Sequence, residues 1–94
     1  MKENLTFTLF TPHKVFESVE CDSVKLNVAD SVSGKFSGSY GIRKGHAKAV
    51  FSLSEGKISV SLKGEEIFSA ECLGGGFAIV ENDEVRVTVD GVNE

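Results

Sequence analysis

"SEGKISVSLKGE", residues 54–65, holds the period that decides the fold. Ile58, Val60 and Leu62 alternate with Ser59, Ser61 and Lys63. Successive side chains of an extended backbone leave on opposite sides, so one parity faces a core and the other faces water. A helix would need an apolar stripe at i, i+3, i+4 and i+7, and the run holds no such stripe. Ser54-Glu55-Gly56 and Lys63-Gly64-Glu65 bound it, and both are read as hairpin loops. The stretch is one half-buried strand with a chain reversal at each end.

The same period recurs outward from this strand. Leu5, Phe7 and Leu9 alternate with Thr6 and Thr8, and Val24, Leu26 and Val28 alternate with Lys25 and Asn27. Ala47, Ala49, Phe51 and Leu53 share one parity around Lys48 and Ser52; Val85, Val87 and Val89 share one around Arg86, Thr88 and Asp90. In the second run Val15, Glu17, Val19 and Cys21 form one face and Phe16 the other. Thr11-Pro12-His13 separates the first two runs, at a point where proline removes no ladder donor. Glu81-Asn82-Asp83 reads as a further hairpin loop, and the polar segment ADSVSG, residues 29–34, as a loop. Gly74-Gly75-Gly76, flanked by Leu73 and Phe77, reads as a bulge or a close approach of backbones. Many short alternating runs without a helical stripe predict an all-β fold: a small antiparallel β-sandwich or flattened barrel of about eight to ten strands.

Composition sets the other limits. The chain has 94 residues, which predicts one domain over 1–94. Its net charge of −4 argues against a sequence-blind nucleic-acid binder; Arg43, Lys44 and Lys48 make only a small basic spot. Cys21 and Cys72 stand far apart with no nearby histidine pair, which disfavours zinc and suggests two buried thiols. MKENLTFTLF, residues 1–10, is too short and polar for a secretory signal. No apolar run approaches the roughly 20 residues needed to cross a bilayer as a helix, so any membrane link is expected to be indirect.

The least ordinary stretch is Gly38-Ser39-Tyr40-Gly41-Ile42-Arg43-Lys44-Gly45-His46. A phosphate loop requires a glycine-rich turn opening a helix, and no helical pattern follows Gly45. His46 lacks a marked nucleophile and an orienting carboxylate in the pattern, and His13 and His46 alone are too few to ligate a metal. No catalytic residues, cofactor or metal site are therefore expected. A stiff glycine loop carried on a sandwich, with Arg43 and Lys44 at its tip, reads as a protein-interaction surface.

Four phrases in order carry a family resemblance. They are Thr11-Pro12-His13-Lys14-Val15-Phe16-Glu17, the stretch from Gly38 to Ala47, Leu53-Ser54-Glu55-Gly56-Lys57-Ile58-Ser59-Val60, and Gly75-Gly76-Phe77-Ala78-Ile79-Val80 continuing to Val85 and Val87. Together they resemble the N-terminal β-sandwich of the epsilon subunit of F-type ATP synthases, the delta subunit in mitochondria. The resemblance implies a non-catalytic rotor component that packs on the gamma subunit and sets its Gly38–His46 loop against the membrane ring. It would couple ion flow to ATP synthesis carried out elsewhere, from the cytoplasmic face of the membrane, with no nucleic acid and no small-molecule substrate. Ser39 stands where the family usually has an acidic residue, and Lys44 where it has proline. The segment from Asn27 to Ser37 exceeds the family's short turn. Only Gly91, Val92, Asn93 and Glu94 follow the last strand, so hairpin-mediated inhibition and ATP binding are not expected of these residues. The alternative is a stand-alone β-sandwich module binding protein or carbohydrate, and behind it a small hydrolase using His46.

Overall fold

In a computed structural model, which describes residues 4–16, 18–29 and 36–93, the alternating runs become eight strands. They are β1 (Leu5–Phe10), β2 (Val19–Cys21), β3 (Ser23–Ala29), β4 (Phe36–Arg43), β5 (Ala49–Leu53), β6 (Gly56–Leu62), β7 (Glu65–Glu81) and β8 (Glu84–Asn93). The expected all-β sandwich is what forms.

The long β7–β8 hairpin joins the two layers. The first half of β7 pairs with β6 and its second half, from Gly76 onward, pairs with β5. β8 follows β7 along both halves, and the register shifts between Leu73 and Gly76. β3 pairs with β4 on one side and β6 on the other, and Val28 meets Leu53 of β5. The ring β3–β6–β7–β5–β3 is thereby closed, which flattens the barrel into a sandwich. β1 adds to β8 in parallel, and β2 adds to β1. Parallel neighbours need a long crossover; here almost the whole chain lies between them.

The anticipated chemistry at Gly74–Gly76 is present as a bulge. Gly74 and Gly75 both take φ of 87°, in the left-handed region where a side chain is strained. The two tight hairpins also follow their sequences. Lys63-Gly64 and Asn82-Asp83 hold both central residues at positive φ, as type I′ turns require.

Two readings are corrected. Ser54-Glu55 does not close a hairpin, because β5 and β6 are not paired; it is a corner where the chain leaves one layer for the other. Ser54 N–H donates to the Asn27 carbonyl at 3.0 Å and fixes that corner. In the second run Phe16 is buried while Val15 is 62% exposed. The Thr11–Lys14 turn resets the parity: Thr11 N–H donates to Lys14 O at 2.8 Å, and Phe16 N–H then donates back to Leu9 O at 2.9 Å. Residues 30–34 of the anticipated polar loop, and Glu17, lie outside the described residues.

Inward parity builds the core. Leu5, Phe7, Leu9, Val24, Leu26, Ile42, Val60, Val80, Val85 and Val87 are at most 2% exposed. Phe68 sits 5.7 Å from Phe7 and 5.9 Å from Phe16, ring centre to ring centre, an aromatic seam between the layers. Edge-to-face and tilted pairs at these separations add about 0.5–1.5 kcal/mol beyond burial.

Cys21 and Cys72 are free, buried thiols. Burial pushes the Cys21 thiol up to about 11, with Asp22 adding to the effect, and burial raises Cys72 as well. The neutral thiol is the form the fold accepts, so its contribution is complete below the ordinary thiol range and is lost as pH climbs through 11. Stability is expected to fall between pH 9 and 11 by on the order of 2 kcal/mol. Urea melts at pH 8 and pH 11 of the parent and of Cys21→Ala check this: the variant's loss over that interval should be the smaller.

Candidate functional site

The nine residues from Gly38 to His46 do not form the single loop that their glycines suggested. Gly38 to Arg43 are strand β4, and only Lys44-Gly45 turn the chain before His46. Among the described residues β4 pairs with β3 alone and is an edge strand. Ile42 is buried, whereas Ser39, Tyr40, Gly41, Arg43, Lys44 and Gly45 are exposed. Space does not demand glycine at 38 or 41: a Cβ at either would meet nothing within 4 Å. Gly45 is different, since its φ of 82° suits only a residue without a side-chain penalty.

Two clamps hold the turn. Gly45 N–H donates to Asp83 Oδ1 at 2.8 Å, tying it to the β7–β8 hairpin loop. The Asp83 carbonyl accepts Thr6 N–H at 2.9 Å, so one turn residue joins β1, the β7–β8 loop and the β4–β5 connection. On the other side lies an aromatic brace. His46 Nδ1 donates to the Ala47 carbonyl at 2.6 Å, a group that can only accept. In the neutral ring Nε2 is then the acceptor for the Tyr40 hydroxyl at 2.7 Å. Tyr40 and His46 pack against Phe51 at 4.7 and 5.9 Å between ring centres. Lys48 pairs with Glu81 at 2.9 Å beside the same end of the sandwich. Each partner's charged form is favoured: the salt link raises Lys48 and lowers Glu81.

Both ring nitrogens of His46 are thus engaged in bracing the turn. Asp83, the neighbouring carboxylate, bonds to a backbone amide and not to the imidazole. What the arrangement does is hold a shape. Replacing Asp83 by glycine keeps the positive φ of its turn position while deleting the acceptor. Amide exchange at Gly45 is expected to accelerate about tenfold, with global stability changed by no more than about 1 kcal/mol. Hydrogen exchange followed residue by residue checks it.

A second surface was not anticipated. On the outer side of β5, β7 and β8, the side chains that alternation should make polar include Val50, 67% exposed, and Phe77, 44% exposed. Val50 is registered with Ile79, and Phe77 with Ser52 and Thr88. Phe10 of β1 lies beyond Thr88 in the same row. Val50, Ile79 and Phe77 therefore make an apolar strip across β5 and β7, with Arg86 and Thr88 of β8 between it and Phe10. The signal was present in the sequence, where Val50, Phe77 and Ile79 stand at the outward parity of β5 and β7.

Comparison with known proteins comes to the same family as the four phrases. The profile of the ATP synthase delta/epsilon chain β-sandwich domain matches residues 4–94. The chain is 36% identical over 87 residues to the ATP synthase epsilon chain of Nostoc sp., covering 93% of this chain and 58% of the relative. It is 37% identical over 84 residues to the epsilon chain of Chlorobium limicola, covering 87% of this chain and 85% of that one. Several of these relatives, including that of Nostoc, are therefore considerably longer. Among solved structures, a chain of the Euglena gracilis mitochondrial ATP synthase superposes with a TM-score of 0.81 at 18% identity, over 99% of this chain and 54% of the other. At that identity the superposition speaks for the fold alone.

Proposed function

The chain belongs to the family of ATP synthase delta/epsilon chain β-sandwich domains, and from that premise we propose that it is a non-catalytic subunit of the synthase's central stalk. In this reading it packs on the gamma subunit, faces the membrane ring with its Gly38–His46 end, and helps couple ion flow to ATP synthesis. It does so from the cytoplasmic face of the membrane, peripherally and through the complex. The observation that carries the proposal is the family match over residues 4–94.

Two features of the molecule support the division of labour. The apolar strip of Val50, Phe77 and Ile79 is the kind of surface a permanent neighbour covers, since the core of a stable interface is depleted of charge. We assign it to the gamma subunit. The turn at Lys44-Gly45, pinned by Asp83 and braced by His46 and Tyr40, is the stiff polar end suited to polar ring loops. A rotor part must transmit torque, and a turn tied to three other elements deforms little under load.

The test is a pull-down of the tagged chain with gamma co-expressed, in detergent-solubilised membranes. A stoichiometric complex with gamma is expected. A chain that copurifies with neither gamma nor the ring would overturn the proposal.

A further inference from the structure

The two edges of the sheet differ in how they are protected. β2 is three residues long, too short to template another strand. β4 is eight residues long, contains no proline, and pairs on one side only among the described residues. Long bare edges present unpaired N–H and C=O groups in a row. Charge is segregated around this edge as well. β3, β4 and β6 contain Lys25, Arg43 and Lys57 and no carboxylate, in a chain whose net charge is −4. The carboxylates Glu65, Glu66, Glu71, Glu81, Glu84 and Asp90 lie on β7 and β8.

Gly41 is the key position. It is registered with Lys25 of β3, and it is glycine although neither φ nor space requires it. With no side chain at 41, nothing on β4 stands between Lys25 and the open edge. Strands lie about 4.8 Å apart, so a strand added to β4 would sit two spacings from β3, within reach of a lysine crossing over a glycine. Among the described residues Lys25 makes no ion pair, whereas Lys57 is held by Glu66 at 2.9 Å. Arg43 follows Gly41 on the same face of β4. A groove of about 270 Å³ lined by Lys25, Asn27, Ser39, Lys57 and Ser59 runs beside them.

We infer that the β4 edge is a docking site for an extended acidic segment of a partner polypeptide, added as a further strand. Backbone pairing along residues 38–43 supplies the binding, and carboxylates on alternate residues of the segment meet Lys25 and Arg43 on the outer face. The inference goes beyond the stalk reading and is tested on the free chain; residues 38–43 belong to the end that reading turns toward the ring, so the acidic segment and the ring would compete for this edge.

The experiment uses the 15N-labelled 94-residue chain and an acetylated heptapeptide alternating glutamate and valine. Binding should protect alternate amides of residues 38–43 from exchange and weaken as salt is raised. Lys25→Glu should lower the affinity about fivefold. Gly41→Val, which has room to fold and should melt no lower than the parent, should weaken binding comparably by screening Lys25. A peptide N-methylated at alternate residues, or one with lysine in place of glutamate, should not bind. Equal binding by either control, protection centred on Val50 and Phe77, or no protection at millimolar peptide would each overturn the inference. So would association of the chain with anionic vesicles but not with the acidic peptide. None of these outcomes bears on whether the chain copurifies with gamma.

Discussion

Gly76→Ala is expected to be the most damaging single-methyl change in this domain, costing about 3 kcal/mol. A Cβ built at Gly76 would lie 2.0 Å from the Thr88 carbonyl oxygen and 2.8 Å from Val89 Cα. Both are backbone atoms of β8, the strand that Gly76 pairs with, so no rotamer change can relieve the contact. The two strands must separate just where β7 passes from one layer to the other. Gly75 beside it is doubly constrained, by a φ of 87° and by the Leu53 carbonyl 2.7 Å from a would-be Cβ. A domain of this size has a total stability of roughly 5–15 kcal/mol, so such a loss is a large fraction of it. Thermal melting should show it as a fall of more than about 10 °C. Gly41→Ala is the matched control: nothing lies within 4 Å of its Cβ, and relief of glycine's strand penalty should leave stability equal or up to about 1 kcal/mol higher. Similar melting of the two variants would mean that the glycine run is not a crossing point of backbones.

The second large effect concerns the apolar strip. Val50→Ser combined with Phe77→Ser is expected to reduce association with gamma by about thirtyfold or more, the size of loss seen when a central anchor is truncated. The isolated chain should lose little, because Val50 is 67% exposed and Phe77 44% exposed before any partner arrives. Roughly 1 kcal/mol is the expected change in unfolding free energy. The split between the two readouts is what matters. Loss of association with the fold intact assigns the strip to the stalk interface; undiminished association moves the interface to another face.

Much of this architecture was legible in the residues. Ile58 and Val60, Leu5 to Leu9, and Val85 to Val89 alternate without interruption, and their inward parity is the core that forms. Lys63-Gly64 and Asn82-Asp83 are turn chemistry with a mechanism, and both appear as positive-φ pairs. What failed to show was pairing between distant segments. Period two assigns a face but not a neighbour, so neither the parallel β1–β8 ladder nor the corner at Ser54 could be read from it. Phe16 was misassigned because a turn between Thr11 and Lys14 shifts parity, and no local period records that shift.

The candidate site was legible only in part. Glycine content suggested a loop from 38 to 46, yet most of it is strand, since Gly38 and Gly41 sit at an uncrowded edge that tolerates glycine without needing it. The Asp83 clamp on Gly45 spans 38 positions and leaves no trace in either local sequence. His46 invited a chemical reading, but only its partners Tyr40 and Ala47 reveal that its nitrogens brace a turn.

The proposed stalk role requires a rigid strand-built part held between gamma and the ring. Membrane vesicles stripped of their epsilon chain and supplied with this chain give the most direct measurement: ATP made per unit of imposed ion gradient. Coupling is expected to rise on addition of the parent chain and to stay low with the Val50→Ser, Phe77→Ser variant. Coupling unchanged by the parent chain at saturating concentration, with gamma and the ring both present, would contradict that role.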